Sequence, residues 1–287
     1  MHRVQQLLRR SPLTTFFTLS LGLGWVLTWL LMAMPSNPVI LPLLALPISY
    51  VPAGVAWLLV RWTDDAARQK AFQQRLWHWR VGWRWLLIAV LVLPLIHLVG
   101  VGLATGWGGQ FPFHPQMIVL YLLFLPVNLG EEIGWRGYAL PRLQEHSAPI
   151  TAGLIIGLVW GAFHLVALLA NPDQPWRYLA VGWALMLAMS LLMTWLFNQT
   201  QGSVPLMALT HAMYDTVSIA VAPLIETGAP LLAFALSAGV AWVVIFVWLA
   251  LGRLRRTQDL ADFLASPTAP SHDNHLEAIA QRTDSTH

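Results

Sequence analysis

Eight apolar runs, each near the ~20 residues that carry a helix across a bilayer, govern what this chain can become. They are Leu13–Met34, Val39–Val60, Trp85–Thr105, Gln116–Gly130, Pro149–Ala170, Leu179–Phe197, Pro205–Ile225 and Leu231–Leu251. The fourth is short unless it continues into the polar segment that follows it. In lipid a segment must satisfy its own backbone hydrogen bonds, which leaves the α-helix as the unit. The runs therefore predict an all-α fold: a polytopic integral membrane helix bundle of about eight transmembrane helices. Charged residues are only 10% of the chain and hydrophobic residues 57%, whereas soluble domains carry about 25% charged residues. That excludes a soluble enzyme. With Cys at 0, a disulfide framework, Cys-ligated zinc and a thiol nucleophile are excluded too.

Lys and Arg orient the bundle, because cytoplasmic loops collect them. With eight spans and both termini in the cytoplasm, every one of the 16 basic residues except Arg177 falls on the cytoplasmic side. The net charge of +3 then reflects membrane orientation, and no nucleic-acid partner is invoked. Met1–Met34 has the basic start of a signal peptide, but its apolar stretch is too long and no A-x-A site follows, so it reads as an uncleaved span. Residues 1–252 are expected to form one membrane-embedded domain and 253–287 a flexible cytoplasmic tail. The tail histidines His272, His275 and His287 read as solvated. Trp62, Trp83, Trp85, Trp107 and Trp176 lie near span ends, where indoles anchor to the interface. The fifth run carries Gly153, Gly157 and Gly161 at four-residue spacing, a face another helix can approach closely.

Ionisable groups inside a membrane are costly and by default mark function. Glu131, Glu132 and Arg136 close the fourth run. Glu132 and Arg136 stand at i and i+4 and can pair. Glu131 lies about 100° round the helix and is left for chemistry; a plain ion-pair cluster at the interface is the simpler alternative. His211 and Asp215, again at i and i+4, suit a metal site, an imidazole oriented by a carboxylate, or a hydrogen-bonded packing pair. His164 sits in the fifth run and His97 in the third; a lone histidine there reads first as packing. Asn128 stands one turn before the glutamates. Together two Glu, two His and one Asp from three helices predict a shared interior cavity. Such a set can bind a divalent metal or activate water. H-E-x-x-H and G-x-S-x-G are absent.

These residues resemble the CPBP family, which joins the type II CAAX prenyl endopeptidases to bacterial bacteriocin-processing or immunity and "abortive infection" membrane proteins. Its pattern is E-E-x-x-x-R, then F-x-x-x-H, then H-x-x-x-N/D. Here these stand as Glu131, Glu132 and Arg136; as Trp160 and His164; and as His211 and Asp215, with the core over residues 116–220. The resemblance implies an intramembrane endopeptidase in a cell membrane, a bacterial inner membrane, acting on a peptide or lipidated protein. Glu131 and His164 would activate the attacking water. His211 and Asp215 would stabilise the oxyanion or complete the site, and Glu132 with Arg136 would hold the first helix. If a divalent metal such as zinc is used, Glu131, His164, His211 and Asp215 are its candidate ligands. Trp160 in place of Phe still supplies an aromatic one turn before His164. Asp215 in place of Asn matters more, since Asn donates a hydrogen bond and ionised Asp only accepts. Two other classes compete: a catalytically silent scaffold or immunity-type protein binding a partner in the cavity, and a small transporter. Transport lacks an inverted repeat or matched broken helices.

Overall fold

The computed structural model describes residues 11–34, 46–106, 114–169, 176–226 and 230–252. Within them every regular element is helical: α1 (Pro12–Met32), α2 (Val51–Thr63), α3 (Ala66–Leu76), α4 (Trp83–Thr105), α5 (Gln116–Glu132), a π-helical turn (Ile133–Ala139), α6 (Leu140–Gln144), α7 (Pro149–Phe163), α8 (Leu165–Leu169), α9 (Trp176–Gln199), α10 (Val204–Glu226) and α11 (Pro230–Ala250). The tail and its histidines lie outside the described residues, as does Trp107.

Among the described residues six helical segments are long and apolar enough to cross a bilayer: α1, α4, the continuous stretch Gln116–Gln144, α9, α10 and α11. The protein is a multi-pass integral membrane protein. The fourth run does extend through the polar segment, because the helix carries on past the glutamates. The fifth run differs from expectation. The fifth stops at Phe163, giving a 15-residue helix of about 22 Å at 1.5 Å per residue, and resumes after a turn at His164 as α8. In the second, residues 46–49 are helical and α2 follows after a turn at Tyr50; residues 39–45 lie outside the described set.

α7 docks on α9 through its glycine stripe. A Cβ at Gly157 would lie 3.1 Å from the Leu187 Cα, and the Trp183 indole covers Gly161. Ser190 Oγ donates to the Gly153 carbonyl at 2.8 Å. α10 packs along α5 and α4, and α11 along α4 and α9. α1 buries one narrow stripe, Phe16, Ser20, Gly24 and Thr28, against α2 and α7, with the Phe163 ring seated over Gly24.

The π turn directly follows the two glutamates. Its wider winding disturbs the i→i+4 ladder, and arginines meet two of its carbonyls. Arg75 Nε, from α3, donates to the Gly137 carbonyl at 3.2 Å. Arg142 Nη1 donates to the Tyr138 carbonyl at 2.9 Å and also pairs with Asp64. Burial, and then the nearby Arg142, bring the Arg75 guanidinium down to about 10, so it stays charged at neutral pH. Burial pushes the Asp64 carboxyl above the ordinary carboxylate range, with Arg142 opposing. Arg68 adds a bond to Glu145 at 3.0 Å. Two loops that the basic residues assign to one membrane side thus meet around the π turn.

That turn also packs tightly on α2: a Cβ at Gly134 would fall 2.3 Å from Pro52 Cβ and 2.7 Å from its carbonyl carbon. Gly134→Ala must push α2 away and is expected to destabilise by about 1–3 kcal/mol, read as a lower unfolding midpoint in detergent. Gly54→Ala, where an added carbon meets nothing within 4 Å, serves as the control and should not lower it.

Candidate active site

α5 is apolar until its last turns, where Asn128, Glu131 and Glu132 are all buried. Glu132 and Arg136 are both 0% exposed. Water cannot compensate either charge, so each needs a partner. Arg136 Nη1 donates to Glu132 Oε1 at 2.8 Å. The same oxygen lies 2.9 Å from His211 Nδ1 on α10. A carboxylate only accepts, so this Nδ1 carries a proton. Glu132 therefore ties its own helix together and ties that helix to α10.

Glu131 faces a different neighbour. Its Oε2 accepts from the Trp160 indole N–H at 2.8 Å and from the Trp135 indole at 3.4 Å. Its Oε1 faces His164 Nε2 at 4.0 Å. His164 is the turn residue that ends α7, and the break explains its aim. At the helix end the Trp160 carbonyl takes the His164 backbone N–H at 3.4 Å and has room for a second donor. The Trp160 carbonyl is 2.9 Å from His164 Nδ1; a carbonyl only accepts, so Nδ1 is the donor and, in the neutral ring, Nε2 offers a lone pair toward Glu131. The Ala162 carbonyl is taken by the Trp25 indole of α1 at 2.8 Å.

Trp160 is the hub. Besides its bonds to Glu131 and His164, its face carries the Arg136 guanidinium at 4.8 Å, and its ring meets His211 edge-on with centroids 5.0 Å apart. Asp215 Oδ2 sits 3.7 Å from His211 Nε2 and accepts from Asn128 Nδ2 at 2.7 Å. The Asp215 carboxyl is within electrostatic reach of Glu131 and His164. Glu131, Glu132, Arg136, Trp160, His164, His211 and Asp215 thus form one cluster drawn from α5, the π turn, α7 and α10. Most of it is closed to solvent, but the side chains of His164 and Asp215 are 32% and 29% exposed, so the cluster is reached from their side.

Two residues do more than the sequence reading gave them. Trp160 is not merely an aromatic in place of Phe, because its N–H fixes one oxygen of Glu131, which Phe could not do. Asn128 bonds Asp215; its one signal in the sequence is an amide in an otherwise apolar helix, three residues before Glu131. His97 lies apart from the cluster, with Nδ1 3.1 Å from Ser237 Oγ on α11.

A zinc site needs at least three protein donors converging on one point. Among the described residues no three His, Asp or Glu side chains do so. Indoles occupy Glu131 Oε2, Glu132 holds His211 Nδ1, and Asn128 holds Asp215 Oδ2. Each of the four keeps one atom outside these bonds (Glu131 Oε1, His164 Nε2, His211 Nε2 and Asp215 Oδ1), and the facing pair Glu131 Oε1 and His164 Nε2 suits a water between two acceptors.

Residues 112–217 match the family described as type II CAAX prenyl endopeptidase Rce1-like, a stretch that contains every residue of the cluster. The chain is also similar to CAAX prenyl protease 2 of Methanococcus maripaludis, with 24% identity over 191 residues, 60% of this chain and 70% of that protein.

The Glu132–Arg136 pair predicts its own test. Removing one partner of a fully buried pair strands the other charge, at a cost of about 3–5 kcal/mol. Arg136→Met should show that loss in detergent unfolding, whereas Glu145→Gln, which breaks a largely exposed pair with Arg68, should leave the midpoint nearly unchanged.

Proposed function

We propose that this chain, whose residues 112–217 match the Rce1-like family, is an intramembrane endopeptidase that uses a water held by Glu131 and His164. The observation that carries the reading is the facing of Glu131 Oε1 and His164 Nε2 across 4.0 Å, with the far side of each group fixed by Trp160. A water bonded to both loses a proton to the Glu131–His164 pair as its oxygen attacks the scissile carbonyl carbon. The carbonyl π bond becomes an oxyanion. When the oxyanion collapses, the C–N bond breaks and the same pair returns the proton to the leaving amine. His211 carries both ring protons in this reading: Nδ1–H on Glu132, and Nε2–H offered to the oxyanion beside Asp215. Glu132 and Arg136 hold the imidazole still and take no part in bond making.

The substrate in this reading is a membrane-associated protein with a lipidated, CAAX-like C-terminus, cut next to the modified Cys. The name of the Methanococcus maripaludis relative supports that class. The 32% exposure of His164, where α7 breaks, also suits a peptide tethered to the bilayer.

The test is cleavage of a prenylated peptide by the purified chain in detergent, beside Glu131→Gln and His164→Ala. Each variant should keep the wild-type unfolding midpoint and lose at least about 10²-fold in rate. Equal background in all three, with the peptide still bound, would assign a silent binding protein instead. Activity should survive a strong chelator; loss on chelation with recovery on adding zinc would replace the water reading with a metal one.

A further inference from the structure

The bonds between α5 and α10 form a ladder. Asn128 meets Asp215 at 2.7 Å, and Glu132 meets His211 at 2.9 Å. Each helix contributes residues at i and i+4, and the order is reversed between them, so the helices run antiparallel here with one register. The lower rung holds the imidazole by its Nδ1. The upper rung has the same form, with a buried side chain of α5 gripping one atom of a functional group on α10. Asn128 is 2% exposed, and a buried amide without partners costs roughly 1–3 kcal/mol by mutational measures. Its bond to Asp215 offsets that cost.

We infer that Asn128 is a positioning residue of the site: its amide occupies Oδ2 of Asp215 and so turns the other carboxyl oxygen, Oδ1, toward the pocket. A carboxylate oxygen only accepts, so the amide nitrogen of Asn128 faces α10. Asp215 then has one oxygen engaged by Asn128 while its side chain is 29% exposed, which leaves Oδ1 as the atom to meet a ligand. The inference deepens the endopeptidase reading and rests on it for its second measurement below.

The direction of this bond can be reversed by mutation. In Asp215→Asn the Asn128 amide donates to the new carbonyl oxygen, and the new NH2 faces the pocket. In the exchange Asn128→Asp with Asp215→Asn, the carboxylate at 128 can only accept. The amide at 215 must turn its NH2 toward α5 and present its carbonyl oxygen to the pocket. Both variants keep the rung, but the atom offered to substrate differs.

Two measurements on the full chain in detergent decide the matter. The first is an unfolding cycle of Asn128→Ala, Asp215→Ala and the double variant, in which the second removal should add little to the first. Additive losses would overturn the contact. The second is cleavage of the prenylated peptide by Asp215→Asn and by the exchange variant, both first matched for unfolding midpoint. Their rates should differ by about tenfold or more, the worth of a hydrogen bond to a charged group, the faster one telling whether the pocket needs a donor or an acceptor. Equal rates would mean that Asn128 only packs and would sink the inference. A wild-type chain that cleaves nothing would instead sink the endopeptidase reading, and the unfolding cycle would still decide whether Asn128 holds Asp215.

Discussion

A carboxylate with no access to water, inside a bundle meant for lipid, has to be neutralised where it stands. Glu132 is that group, and much of the arrangement follows from meeting its demand. Arg136 answers from one turn along the chain, and His211 answers from α10. The first bond ties the end of α5 to the π turn, and the second fixes the register of α5 against α10. Once those are set, Asn128 falls opposite Asp215. Glu131, turned away from the pair, faces α7, where Trp160 receives it. The two adjacent acids thus have separate partners: Glu132 is held in the ion pair with Arg136, and Glu131 meets a histidine.

That the two acids face different partners was visible in the linear chain because membranes leave few polar groups to choose from. In a soluble protein Glu131 and Glu132 would be lost among surface acids. Here, where only 10% of residues are charged, the adjacent pair, His164, and His211 with Asp215 stand out against apolar runs. Their i and i+4 spacings put them on defined faces. The similarity of residues 112–217 to the Rce1-like family covers the same stretch that the costly residues had marked, and it supports a membrane protease.

Other features were hidden for reasons of geometry. Hydrophobic periodicity does not distinguish an α from a π turn, and Gly134 and Gly137 look like ordinary helix glycines until Pro52 and Phe72 pack on them. The break at His164 has no proline beside it to announce it. It shows as a histidine folding back on its own helix, with Trp25 of a distant helix bonding the Ala162 carbonyl. An indole N–H and a phenyl ring look alike in a pattern of aromatics, so the donor role of Trp160 could not be read from spacing. Asn128 gave an amide in the right place, but its partner is 87 residues away, and one chain without pairing information does not name it.

The π turn sets the angular phase between the two ends of one long rod. Each residue added to or taken from a helix rotates everything beyond it by about 100°. Upstream, the rod aims Glu131 and Glu132 at α7 and α10; downstream, it aims Arg142 at Asp64. Both aims hold together because the wide turn absorbs the mismatch between them, and Arg75 braces that turn from outside through the Gly137 carbonyl. In this chain the orientation of Glu131 and Glu132 and the anchorage of the rod on Asp64 and α3 are therefore a single mechanical setting, and loosening the brace would detune both ends at once.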